Sequence, residues 1–180
     1  MSTEDRLWRV LKRDKLFEIP GRVEIYSETV RLPDGRIVDD YCQVVENSFA
    51  VVLAETASGE TILLRQYKHG PRRVQLSLPG GHLDQDEPLA AAQRELLEET
   101  GYGGGEWVAL GSFCTAGSQG GSTAHAFRCK GAVKLAEPDA GDLEEMTVEL
   151  LDRAALTKAI TAGEFAVAGD LATLSLALLT

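Results

Sequence analysis

Glu95, Glu98 and Glu99 stand within Arg94-Glu95-Leu96-Leu97-Glu98-Glu99-Thr100-Gly101 of a 180-residue chain. On a helix these positions are i, i+3 and i+4 neighbours, an arc of roughly 100°, so three carboxylates share one face and repel one another. Glu98 and Glu99 also fall in the last turn, where the helix dipole disfavours anions by about 0.3–1 kcal/mol each. Two local rules are broken in one turn, as happens where a function compensates. A divalent cation would compensate, and hard oxygen donors suit Mg²⁺ or Mn²⁺. A bare E-x-x-E-E run is more often a solvated face, here with Arg94 paired to Glu98. The Gly80-Gly81 pair ahead of this segment and the Thr100-Gly101 pair behind it distinguish it from such a run.

These carboxylates need a helix, and the sequence marks its ends. Pro88 suits the first helical position, where its missing N–H costs nothing. Gly101 suits the left-handed position just past the last turn. Leu89, Ala92 and Leu96 form an apolar stripe between them, predicting a helix over 88–100. Apolar β-type runs precede it at Phe49–Ala54 and Thr61–Leu64, joined by a hairpin turn around Gly59, and at Val74–Leu78. Further strands are expected at Trp107–Phe113, Ala124–Arg128 and Met146–Leu150, and two helices near Asp152–Ala162 and Asp170–Leu179. The elements mix without βαβ alternation, which predicts an α+β sandwich. Residues 1–45 read as a small N-terminal antiparallel strand region with a turn at Leu32-Pro-Asp-Gly35, and 46–180 as the main domain.

At this length roughly 70% of the unfolded surface can be buried, so a core needs no disulfide or structural metal. The hydrophobic fraction is 44%, the charged fraction 26% and the net charge −10. Such acidity opposes general binding to nucleic acid backbones. It fits the collection of cations, though it is also an ordinary solubilising surface. Cys42, Cys114 and Cys129 are scattered and odd in number, which excludes a C-x-x-C site and predicts a reducing, cytoplasmic setting. No signal-peptide-like run opens the chain, and the apolar tail Leu171–Leu179 is too short to span a membrane.

The segment Gly80 to Tyr102 resembles the Nudix box, G-x5-E-x7-R-E-U-x-E-E-x-G-U with U apolar. Arg94 to Tyr102 matches the second half in full. In the first half, either Gly80 and Asp86 fill the places of the glycine and first glutamate, or Gly81 and Glu87 do with one residue deleted, a spacing similar to that of the GDP-mannose pyrophosphatase branch. Leu64-Arg65-Gln66-Tyr67-Lys68 looks like the R-Q-[FY]-R strand of ADP-ribose and nucleoside diphosphate sugar pyrophosphatases, with Lys where Arg is common, which removes a bidentate phosphate contact.

The resemblance implies an α/β/α sandwich with a mixed sheet, Mg²⁺ dependence and a homodimer exchanging N-terminal strands. It implies metal ligands at Gly80, Glu95, Glu98 and Glu99, with Arg94 and Glu98 in the catalytic set. A water-activating glutamate is implied on Asp139–Met146, with Glu144 aligning best and Glu145 next. ADP-ribose is the first expected substrate, then GDP-mannose and other nucleotide sugars.

Arg65, Lys68, His69, Arg72 and Arg73 concentrate positive charge. They read either as a diphosphate site, with Arg65, Lys68 and Arg72 foremost, or as a loop balancing local acids. Gly120, in the Gly-rich stretch Thr115–Thr123, could let backbone approach a ligand, or the stretch is plain loop. His82 and His125 lack metal-type spacing and read as structural. A nucleotide-sensing module without turnover would be marked by loss of the box glutamates, and all three are present. Triphosphatase members of the family are usually shorter at the N-terminus.

Overall fold

The computed structural model describes residues 6–139, 141 and 145–179. The chain divides into two compact units, the first taking the chain up to Asn47 with Cys114–Thr123, the second Ser48–Phe113 with Ala124 onward.

In the first unit, β1 (Arg9–Ile19), β2 (Val23–Arg31) and β3 (Ile37–Glu46) form an antiparallel meander. The turn between β2 and β3 is the expected one, with the Gly35 N–H donating to the Leu32 carbonyl. Every residue of β1 is exposed. The stretch expected as a Gly-rich loop is largely strand. β9 (Glu106–Ala116) runs to Ala116, β10 (Gly120–Lys134) begins at Gly120, and Gly120 and Gly121 pair in parallel with Val44 and Val45.

In the second unit the burial pattern shows why a sandwich forms. β4 (Phe49–Thr56) is apolar on both faces, which a strand tolerates only between two covering layers. Ala50, Val52 and Ala54 join one cluster with Ile62, Phe127 and residues Ala91, Ala92 and Leu96 of α1 (Pro88–Thr100). Val51 and Leu53 join the other with Leu63, Leu156 of α2 (Arg153–Thr161) and Leu174 of α3 (Ala168–Leu179). Alternation along β4 and β5 (Thr61–Lys68) therefore puts α1 on one face of a mixed sheet and α2 and α3 on the other. β10 runs parallel to β4; β5 is antiparallel to β4 and to β11 (Met146–Leu151).

One irregularity matters for the site. β4 pairs with β5 only at Ala54 and Glu55. Beyond that point β5 takes β6 (Arg73–Ser77) and β4 takes β7 (Gly80–His82) as partners. The connection Leu78-Pro79 passes through the gap where the two strands part, delivering Gly80 and Gly81 beside α1. No helix among the described residues is long and apolar enough to cross a membrane.

Candidate active site

Helix α1 begins at Pro88 and ends with Gly101 in the left-handed conformation, its N–H donating to the Leu97 carbonyl. Burial of Ala91, Ala92 and Leu96 fixes its rotation and directs Glu95, Glu98 and Glu99 toward the β7 side.

Arg94 is the centre of the cluster. Its Nη1 lies 2.7 Å from Glu95 Oε1 and 3.1 Å from Glu98 Oε2, and its Nε 3.1 Å from Asp86 Oδ2. Nη2 donates to the His82 carbonyl at 3.0 Å and stands 3.7 Å from Asp84. Burial would favour the neutral guanidine, but the hydrogen bonds that it donates to Asp86, Glu95 and Glu98 outweigh it and hold the group charged. The Arg94–Glu98 pair that a solvated face would show is present, within a larger network. Asp86, at the spacing of the box's first glutamate, is the residue that meets Arg94. Glu87 occupies the helix N-cap without a side-chain cap bond.

Glu99 is buried, and its Oε2 accepts the Gly80 N–H at 2.8 Å. The two glycines are required by close approach. A Cβ at Gly80 would lie 2.2 Å from the Ala50 carbonyl oxygen, and one at Gly81 2.4 Å from the Glu95 carboxylate. Glu95 thus fills the room that any other residue at 81 would take.

The donors fit a hard divalent cation in kind, being carboxylate oxygens gathered beside a glycine turn. As the side chains stand, no three acidic, His or Cys groups among the described residues are close enough to share an ion. Arg94 spans Glu95 and Glu98, while Glu99 faces Gly80.

The remaining expected residues fall in different places. Lys68 and Gly80 line a common small cavity. Arg72 stands in the β5–β6 turn with φ 52°. Arg65 is engaged by acids: Glu149 takes Nε at 2.5 Å and Nη2 at 3.2 Å, and Glu164 takes Nη2 at 2.9 Å. Gly120 lies in the first unit, as a strand residue. Glu145 is exposed directly ahead of β11, and Glu144 lies outside the described residues. His125 Nδ1 lies 2.9 Å from Ser112 Oγ. The sequence reading missed Asp170, a buried acid near Gly80 that looks like an ordinary helix N-terminal residue in sequence.

A model of the NUDIX domain matches residues 46–166. The chain belongs to the Nudix family. Its relatives include an ADP-ribose pyrophosphatase of Bacillus subtilis (strain 168), 30% identical over 80% of this chain and 77% of that protein. A methanol dehydrogenase activator of Bacillus methanolicus is also 30% identical, over 78% of this chain and 79% of its own. Among solved structures, an ADP compounds hydrolase shares the fold with a TM-score of 0.82 at 18% identity, covering 96% of this chain and 92% of that one. The protein is thus a Nudix pyrophosphohydrolase, of a family whose members generally use divalent cations.

Gly81→Ala tests the close approach at Glu95. The displaced atoms are the far end of a flexible side chain, so the melting temperature should barely move. Activity at limiting metal should fall by about 10–100-fold, the usual loss when a supporting contact of a ligand is disturbed. Unchanged activity would show that Glu95 does not need this position.

Proposed function

We propose that this Nudix protein hydrolyses the diphosphate bond of ADP-ribose or a related nucleoside diphosphate sugar. Water adds to one phosphorus, the bridging oxygen leaves on the other, and a nucleoside monophosphate and a sugar phosphate result. The observation that carries this reading is the group Glu95, Glu98 and Glu99 on one helix end, arranged around Arg94 and packed against Gly80–Gly81. The kinship with a protein named an ADP-ribose pyrophosphatase supports the substrate class.

Glu95, Glu98 and Glu99, with the Gly80 carbonyl, would hold Mg²⁺ or Mn²⁺. When bound, such an ion neutralises phosphate charge and acidifies a water. Glu98 has 43% of its side chain exposed, the most of the Arg94 partners on α1, and is the one best able to turn from Arg94 toward a cation. The diphosphate anion is assigned to Lys68, which lines the cavity beside Gly80, and to Arg72 of the β5–β6 turn.

Proton removal from the attacking water is given to Glu144 or Glu145. The Asp139 N–H donates to the Glu98 carbonyl, and Met146 pairs with Gln66 of β5. The acidic segment is therefore tied at one end to the box helix and at the other to the strand leading to Lys68.

The exposed β1 supports a homodimer. Val10, Leu11, Leu16, Phe17 and Ile19 are all open along it, an apolar edge strand of the kind proteins normally cover. A second copy of this chain is the proposed cover. The three cysteines are free, with Cys42 and Cys114 exposed, which suits the reducing cytoplasm.

With Mg²⁺ and a panel of ADP-ribose, GDP-mannose, other nucleotide sugars and nucleoside triphosphates, the expected products from ADP-ribose are AMP and ribose 5-phosphate. Glu98→Gln and Glu99→Gln should each lower kcat by at least about 10². The melting temperature of Glu98→Gln should stay near wild type, since a partly exposed pair such as Glu98–Arg94 contributes about 0–1 kcal/mol. Full turnover in excess EDTA would sink this reading. Glu144→Gln or Glu145→Gln should lower kcat by about 10²–10⁴ with little change in KM. Equal activity of both variants and of the double variant would remove the segment from the mechanism. Sedimentation velocity at micromolar concentration should show a dimer, and a monomer there would refute the role given to β1.

A further inference from the structure

Alternation along three neighbouring strands gathers charge away from the box. In β4, Val51 and Leu53 face α2 and α3, so Glu55 falls on that face too. On β5, Thr61 shares the parity of Leu63, and on β10 Arg128 and Lys130 share that of Ala126. The register sets them side by side. Glu55 stands opposite Thr61 and beside Lys130, and Leu53 stands beside Arg128. The box lies elsewhere: Gly80 and Gly81 pair with Val51 and Ala50, and α1 covers the opposite face. From Ala50 to Glu55 the strand advances about 17 Å.

The helices leave this end of the sheet partly open. Between Arg153, the first residue of α2, and the last turn of α3 lies a cavity of about 540 Å³ over Leu53, Leu156 and Leu174. That is the size of a small-molecule site rather than of a packing void. Its lining sets Arg128, Lys130 and Arg153 against one acid among the described residues, Glu55. Glu55 is already engaged. Its Oε2 accepts Arg128 Nε at 2.9 Å and lies 2.8 Å from Nη2, while Nη1 donates to the Ala177 carbonyl at 3.3 Å. Asp152, next to Arg153, caps the Ala155 N–H. Among the described residues, the side chains of Lys130 and Arg153 make no hydrogen bond or ion pair. Solvated cations are ordinary on a surface. These two border a cavity with an apolar floor, and the one acid beside them belongs to Arg128. Two positive charges are left unmatched there, in a chain whose net charge is −10.

We propose that this cavity binds a phosphate monoester, with Lys130 and Arg153 holding the phosphate and the apolar floor taking the ester group. A phosphate monoester carries about −1.5 to −2 charge near pH 7 and three acceptor oxygens, so it meets an ammonium and a guanidinium together. A carboxylate brings one charge and matches only one of them. Arg128 ties β10 to β4 and to α3, which sets the walls of the cavity before a ligand arrives. The site needs no metal and does not depend on the reaction given under Proposed function, although both products named there are phosphate monoesters.

The test is a titration of the whole protein in excess EDTA with AMP and, separately, with ribose 5-phosphate. Backbone amide resonances of Lys130, Arg153 and Ala177 report on this cavity, and those of Gly80 and Glu99 on the box. Saturable shifts are expected in the first group. Lys130→Gln and Arg153→Gln should each weaken that binding by about 10-fold or more, the scale of one charge-assisted hydrogen bond. Both side chains are exposed, so both variants should keep the wild-type melting temperature. Inorganic phosphate should bind more weakly than either ester, and adenosine should leave the first group unmoved. Shifts confined to Gly80 and Glu99, wild-type affinity in either variant, or no shift at millimolar ester overturns the proposal. Equal affinity for inorganic phosphate and both esters overturns the assignment of the floor to the ester group.

Discussion

A single guanidinium makes the carboxylate cluster possible. Arg94 meets Asp86, Glu95 and Glu98 and caps the His82 carbonyl from one planar fork of donors. A lysine, with one compact charge, could not span two carboxylates of the helix and two groups of the preceding loop together. Two consequences follow from this one side chain. The loop His82–Asp86 is tied to the helix it leads into, and Glu95 and Glu98 can stand side by side before any cation arrives. Were a cation held on this face, as proposed, it would have to compete with Arg94 for Glu98. Such competition favours an ion of high charge density over a monovalent one.

Crowding anions at a helix C-terminus raises a second difficulty, and the chain meets it with donors to the last carbonyls. Thr100 Oγ1 donates to Leu96, the Gly101 N–H to Leu97, the Asp139 N–H to Glu98, and Lys134 Nζ to Thr100. With these carbonyls satisfied, little of the negative end of the dipole is left facing Glu98 and Glu99. Lys134 adds a positive charge within the same turn and rests against Tyr102 at 5.3 Å. Tyr102 thereby helps to place the ammonium that satisfies the Thr100 carbonyl.

Helix α1 is legible to the residue because Pro88 and Gly101 mark its ends by steric rules that tertiary context seldom overrides. β4 and β5 are legible because their apolar runs are continuous. β7 is not: Gly80-Gly81-His82 has no strand propensity, and it pairs only because β4 offers an edge where β5 has parted from it. β10 extends from Gly120 to Lys134, well beyond the expected Ala124–Arg128, since Gly120, Gly121 and Gly131 hide its ends. The three glutamates and Arg94 announce themselves by spacing within one helix. Asp170 does not, because what makes it unusual is burial, which the sequence around it gives no sign of.

Arg65 shows how the same limit reshapes the substrate side of the site. In sequence it is the leading arginine of a cationic strand. In the fold, alternation along β5 puts it on the face of Leu63, which packs with α2 and α3, whereas Ile62 faces α1. Glu149 lies opposite Leu63 in the antiparallel pair and so shares that face. Glu164, following α2, closes over the same guanidinium. Two carboxylates leave the group no net positive charge to offer a phosphate, and displacing them would strand two acids. Arg65 thus ties β5 to β11 and to the end of α2. Under the proposed reading, the diphosphate would then be met by cations other than Arg65, such as Lys68, which lines the cavity beside Gly80.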